Sequence, residues 1–254
     1  MNTWRLDTWL TYRPEDFLMF SEPVYWQMIQ THNALFWPAH ILTMLAGLGV
    51  LVVLGNPAGF ARFRPGLLIA GPLAASWMLA GFGFLGLSYA SINWAAEWLI
   101  PLFVFQGVLI LLGRTDFGVG VPSGIAAVLG FGLLAYALAG YPLLAPLAGR
   151  PVAAAEVFGV APDPTVIGTL GVLLIARSSL KRRTAPLSLA LAISIVWCGV
   201  SWITLDTMNT WESWSPAVAA LVALIGWSLP NAVSTGGTPK ASRSGRAADR
   251  PAAR

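Results

Sequence analysis

The chain has 254 residues, 56% of them apolar and only 10% charged, with a net charge of +4. So sparse a set of charges does not dress a water-soluble surface, and a single cysteine excludes an internal disulfide or a cysteine-rich metal site. The positive balance is a matter of where the bases fall between apolar stretches, and it marks topology rather than nucleic-acid binding.

The first apolar run begins only at Leu35, behind a polar and aromatic leader, so no cleavable signal peptide is expected. Within that leader, Pro14-Glu15-Asp16 and Ser21-Glu22-Pro23 each place a proline and acid where a helix starts. Val24, Tyr25, Met28 and Ile29 then recur at helical spacing, which predicts an amphipathic helix on the outer face of a bilayer across residues 1–34.

Seven apolar spans follow: Leu35–Leu54, Leu67–Tyr89, Trp94–Leu112, Gly124–Ala148, Thr165–Ala176, Leu187–Leu205 and Ser215–Leu229. Most approach the ~20 residues that cross a hydrocarbon core. The fold expected is therefore an all-α polytopic membrane helix bundle occupying residues 35–230. Twelve of the fifteen basic residues fall in alternate gaps and in the tail, with only Arg5, Arg13 and Arg150 on the other side. This predicts the N-terminus outside and the C-terminus cytoplasmic. Nine of the eleven acids, among them Glu97, Glu156, Asp163, Asp206 and Glu212, map to the outer side. So do most tryptophans, either as an interfacial belt or as walls of a pocket. Residues 231–254 lack apolar periodicity and are expected to form a disordered basic cytoplasmic tail. Heavy use of alanine, glycine and arginine points to a bacterial inner membrane.

Pro38, Pro164, Pro186 and Pro216 are expected in first helical turns, where proline removes no needed hydrogen bond. Pro101 is placed inside the third span, where it should kink the helix and free the Glu97 carbonyl. The stretch Tyr141–Pro164 contains four further prolines and glycines and is read as irregular chain, tolerated at membrane depth only if covered by protein or lining a water-filled cavity. Asp163 has two readings there, as a helix N-cap or as a polar group displayed in that cavity. Glycines such as Gly81, Gly83, Gly86, Gly130, Gly132, Gly168 and Gly171 are expected to allow close helix packing.

The motifs Phe158-Gly159-Val160-Ala161-Pro162-Asp163-Pro164-Thr165, His32-Asn33-Ala34-Leu35-Phe36-Trp37-Pro38-Ala39 and Pro14-Glu15-Asp16-Phe17 resemble a bacterial multi-pass membrane family known as domain-of-unknown-function 6064. The resemblance covers most of the chain and implies an architecture and a compartment, but no activity.

Most span interiors hold no ionisable residue, which argues against a proton or ion pump. Both lysines lie outside the spans, so a retinal Schiff base is excluded. No hydrolase, metalloprotease or phosphate-loop motif is present, and the sequence leaves any cofactor unknown. The candidate ligand-binding residues cluster at the outer helix ends: Glu97, His40, Asp163, Trp94, Trp98 and Asn93. Glu97, His40 and Asp163 are expected to share one outward-facing vestibule, roofed by Tyr141–Pro164 and walled by Trp94 or Trp98. The leading expectation is non-enzymatic binding or facilitative transport of a small molecule. A metal-dependent enzyme using His32, His40, Glu97 and Asp206 is one alternative, and an accessory subunit of a membrane complex is another. The expected partners are the lipid bilayer, a small-molecule ligand, and a membrane-protein partner or a second copy of the chain. Spans one to three and five to seven would share an orientation, the plan of parallel-repeat transporters.

Overall fold

The computed structural model describes residues 19–180 and 184–229. The expected helix at Pro14-Glu15-Asp16 and the basic tail lie outside the described residues. Within them every regular element is helical, apart from an isolated bridge between Phe158 and Ala161.

The chain starts with α1 (Glu22–Leu35), with Ser21 in extended conformation before it and Pro23 in its first turn. Tyr25, Met28 and Ile29 recur on one face as expected, but that face is buried against the protein, while Val24 is exposed. After a break at residues 36–38, α2 (Ala39–Gly55) leaves at 86° to α1. The third helix, α3 (Pro65–Leu79), runs through Pro72 and continues as a π-helical segment, Ala80–Ser88. A 3-10 segment, Trp94–Leu99, leads into α4 (Ile100–Leu112). Next, α5 (Gly124–Ala135) extends through π-helical Tyr136–Gly140 and a 3-10 turn, Tyr141–Leu143, to the short α6 (Leu144–Leu147). Three further helices follow: α7 (Pro162–Ser179), α8 (Ala185–Thr207) and α9 (Trp214–Ser228).

Among the described residues four helical stretches are long and apolar enough to cross a membrane: Pro65–Ser91, Trp94–Asp116, Gly124–Leu147 and Ala185–Thr207. The bent pair α1 and α2 makes a fifth if it counts as one span. Each of the seven apolar stretches corresponds to a helix, and α7 stands apart in being enclosed by protein. Every residue from Pro162 to Ser178 is buried. A helix enclosed by protein needs surfaces that fit its neighbours rather than a lipid-compatible perimeter, so glycine and threonine can replace leucine. At the crossing of α5 and α7 a methyl group on Gly171 would lie 2.5 Å from the Gly130 carbonyl oxygen, and one on Gly130 would lie 2.6 Å from the Gly171 oxygen. Gly81, Gly83, Gly86 and Gly168 are similarly crowded by Phe103, Phe36, Ile100 and Phe158, whereas Gly132 faces open space.

The gaps sort into two ends. At the arginine end the Gly66 backbone packs against the Arg114 carbonyl, and Thr184 Oγ1 donates to Asp116 at 2.6 Å. At the aromatic end lie Trp94, Trp98, Trp211 and Trp214, all exposed. The repeat plan is not reflected in the environments of the two leading helices: α2 exposes Ile41, Leu42, Leu45, Leu48 and Val52, while its counterpart α7 is enclosed.

Pro101 corrects the expectation for the third span. It stands in the first turn of α4, and the Glu97 carbonyl accepts the Ile100 N–H, so no carbonyl is freed. The ladder breaks before the proline by tightening to 3-10 geometry, which supplies the partner that an α-helical kink would have lost. Pro142 has the other outcome. It lacks an N–H, and its ring presses on the carbonyl four residues earlier, so the chain widens into the π-helical turn before it.

Residues 153–162 form a plug pushed into the bundle rather than a roof over it. Phe158 and Val160 are fully buried. Gly159, at φ +81°, fits against Thr43 and Ser76, where any side chain would collide. Its N–H donates to Thr165 Oγ1 at 2.7 Å, and the same hydroxyl donates to the Ala161 carbonyl at 2.6 Å. Val160 and Ala161 N–H groups both return to the Val157 carbonyl. Irregular backbone in this position is stable because its polar groups are satisfied within the protein.

Candidate functional site

Asp163 organises the aromatic end. It lies in the first turn of α7 between Pro162 and Pro164, but it is not the cap: Ala161 occupies that position without a side-chain bond. The carboxylate turns into the bundle instead, where it is 4% exposed. Trp197 Nε1 donates to Oδ1 at 2.8 Å, while Ser201 Oγ at 2.5 Å and Tyr141 OH at 2.9 Å donate to Oδ2. Trp197 and Ser201 are four residues apart on α8 and so share one face. Tyr141 arrives from the turn that follows the π-helical segment, where one extra residue rotates the next side chains by about 100°.

A second buried acid comes from the plug. Glu156 is 6% exposed and takes a long hydrogen bond, 3.4 Å, from Tyr25 OH. Burial holds its carboxyl well above the usual carboxylate range; the Asp163 charge pushes the same way and Arg150 opposes it. Arg150 itself is paired with Glu212, and its guanidinium lies 3.6 Å above the Trp26 ring. One side chain thus ties the chain leading into the plug to α1 and to the turn before α9. Arg–aromatic stacking with a carboxylate partner is geometry that lysine would not reproduce.

Glu156 and Asp163 line a common cavity of about 190 Å³. Its other walls are Tyr25 from α1, Phe84 and Tyr89 from the end of the second span, Asn93, Ala95, Ala96 and Leu99, and Val200, Ser201 and Thr204 from α8. Tyr25 and Tyr89 meet edge to face at 6.1 Å, and Phe84 lies 5.9 Å from Tyr89. Two departures from α-helical geometry, Ala80–Ser88 and Tyr136–Gly140, deliver Phe84, Tyr89 and Tyr141 to this site. Such widened turns recur where side chains must be re-aimed toward a site.

The six sequence-expected site residues separate into three groups. Asp163 and Asn93 line this cavity, and Asn93 also caps the 3-10 segment by accepting the Ala95 N–H at 3.0 Å. His40 lines a different, more open and largely apolar cavity of about 500 Å³, between α1, α2 and the chain around Pro142 and Val152. There Asn33 donates to the Ala153 and Ala155 carbonyls, so its Oδ1 accepts from His40 Nε2 at 3.0 Å. Glu97 is exposed, as are Trp94 at 65% and Trp98 at 77%. The expected single vestibule shared by Glu97, His40 and Asp163 is therefore two cavities with Glu97 outside both. Three residues per 3-10 turn explain this: Asn93, Ala96 and Leu99 align toward the cavity, leaving Trp94 and Glu97 on another face.

The histidines also part company. His32 is buried, its Nε2 facing the Val160 carbonyl at 3.3 Å and its Nδ1 Ser88 Oγ at 2.8 Å. A carbonyl only accepts, so Nε2 carries the proton and Nδ1 accepts from the serine. With His40 bound to Asn33 and with Glu97 and Asp206 exposed, the four residues of the expected metal site are dispersed. No group of three or more His, Cys, Asp or Glu suited to a metal occurs among the described residues.

Sequence reasoning placed Glu156 at this end but did not select it, and it missed Tyr25, Tyr89, Tyr141, Trp197 and Ser201. The available signal was a carboxylate inside a stretch that had to be covered by protein, together with an indole and a hydroxyl one helical turn apart in the sixth span.

No curated protein and no solved structure matches the chain. A family profile described as a family of unknown function, DUF6064, matches residues 22–233. With so much of its length covered, the chain belongs to the DUF6064 family.

Proposed function

We propose that this protein is a multi-pass inner-membrane protein that binds a small molecule at its outer side, in the cavity lined by Glu156 and Asp163. The seven spans, an outside N-terminus and a cytoplasmic C-terminus belong to this reading, supported by the partition of basic residues between alternate gaps. One observation carries it: two buried carboxylates and several aromatic rings face a cavity at the tryptophan-rich end. Burying such groups beside empty space costs stability, and concave sites with a few convergent polar groups are where small molecules bind. Binding is favoured over open passage by the packing beneath, where α5 and α7 touch at Gly130 and Gly171. The exposed tryptophans suit an interfacial belt, and α1, meeting α2 at 86°, suits a helix lying along the bilayer surface.

Accessibility tests the reading. In a Cys198→Ala background, Thr204→Cys should react in intact cells with a small membrane-impermeant thiol reagent, and a cysteine at Thr184 should not. Reaction only after the membrane is permeabilised would place the cavity on the wrong side. No reaction under either condition would mean that the cavity is closed to ligands.

A further inference from the structure

Granting that the cavity is a binding site, its electrostatics select the ligand. We infer that it takes a compact organic cation, an ammonium head with a short hydrocarbon body, seated between Glu156 and Asp163 and against the rings of Tyr25, Phe84, Tyr89 and Trp197. Asp163 is held by three neutral donors, Trp197, Ser201 and Tyr141. Each of these bonds favours the charged carboxylate and none cancels its charge. The base whose charge reaches Glu156 is Arg150, and it is committed to Glu212 and to the Trp26 ring. The wall therefore presents two acidic groups in a buried setting, where a cation compensates the charge they develop, a neutral guest does not and an anion is repelled.

The remaining surfaces fit the rest of such a molecule. Rings offer their faces to cations, and the preference strengthens as water is removed. Val200, Leu205, Leu99 and Ala96 supply an apolar side for a hydrocarbon body. At about 190 Å³ the space is below the usual size of a drug-like pocket, which restricts the guest to a few heavy atoms. A proton shared between the two carboxyls is the competing way to reduce the charge. A cation entering the site should displace it, so binding and proton release are coupled.

The test compares isosteric probes on the full chain in lipid nanodiscs: butylamine, tetramethylammonium, 1-butanol and butyrate, by titration calorimetry in two buffers of different ionisation enthalpy. The expected result is saturable binding of a cationic probe at least ten-fold tighter than 1-butanol, no butyrate binding, and heat that depends on the buffer. Asp163→Asn should weaken the cation at least ten-fold and leave the alcohol unchanged. Glu156→Gln should weaken it too while abolishing the buffer dependence, and it serves if Asp163→Asn does not fold. Alcohol bound as tightly as amine, with no response to either variant, would overturn the cation assignment yet leave a binding cavity. If none of the probes binds at millimolar concentration while Thr204→Cys is labelled from outside, the cation assignment is likewise overturned and the open cavity survives. Silence in both assays removes site and ligand together.

Discussion

The two ends of α7 meet the same constraint, complete enclosure by protein, in opposite ways. Toward the arginine end the helix is closed by contact: Gly171 against Gly130, Gly168 against Phe158, and Thr169 Oγ1 taking the Trp77 indole N–H at 2.9 Å. Toward the aromatic end a buried carboxylate and a second buried acid line a cavity, and a largely buried ion pair lies outside its walls. Close packing is the stabilising solution, because enclosed apolar surfaces gain dispersion contacts at no desolvation cost. The aromatic end gives up part of that gain, which is the pattern of a surface kept for something other than stability.

Substitutions that act on one end alone sharpen this contrast. The largest loss should come from Arg150→Ala, which leaves Glu212 buried without its partner and uncovers Trp26. Removing one partner of a buried pair costs about 3–5 kcal/mol, and the residual exposure of Arg150 places it at the low end. Thermal unfolding in detergent should show a drop that Arg150→Lys only partly restores. At the opposite end, Gly171→Ala drives a methyl group into the Gly130 carbonyl, with an overpacking cost of roughly 1–3 kcal/mol, whereas Gly132→Ala should be neutral. Equal melting temperatures for the two alanine variants would break the claim that α7 is closed by glycine contact.

Smaller effects are expected within the polar cluster. Ser201→Ala removes one donor to Asp163 and should cost about 1–2 kcal/mol, leaving two donors in place. Stabilisation by this variant would mean that the hydroxyl is not engaged as described. The smallest effect is a pH slope. With its carboxyl raised above the ordinary range, Glu156 is protonated in the fold at pH values where the unfolded chain has already lost that proton. Its contribution is complete below the ordinary carboxylate range and declines as pH rises through that range toward the raised value. The melting temperature of Glu156→Gln minus that of the natural protein should therefore increase from about pH 4 upward. A flat or falling difference would place Glu156 in contact with water.

Much of this architecture is legible in the amino-acid order. Apolar runs, prolines in first turns and the alternation of basic gaps depend on local composition and on the length needed to cross a bilayer, so α2 to α5 and α7 to α9 can be anticipated with small errors at their ends, whereas α6 falls in the stretch read as irregular chain. The need to cover Tyr141–Pro164 and the inward position of Asp163 follow from the same physics of unsatisfied backbone and charge in apolar surroundings. What tertiary structure decided was orientation around each axis and company across elements. A 3-10 turn sent Glu97 and Trp94 outward and Asn93 inward, and a π-helical turn brought Tyr141 to Asp163. The plug carried Glu156 to Tyr25, 131 residues away in sequence. These outcomes rest on rotations of about 100° per inserted residue and on contacts between distant segments, and neither leaves a trace in the local pattern of apolar and polar residues.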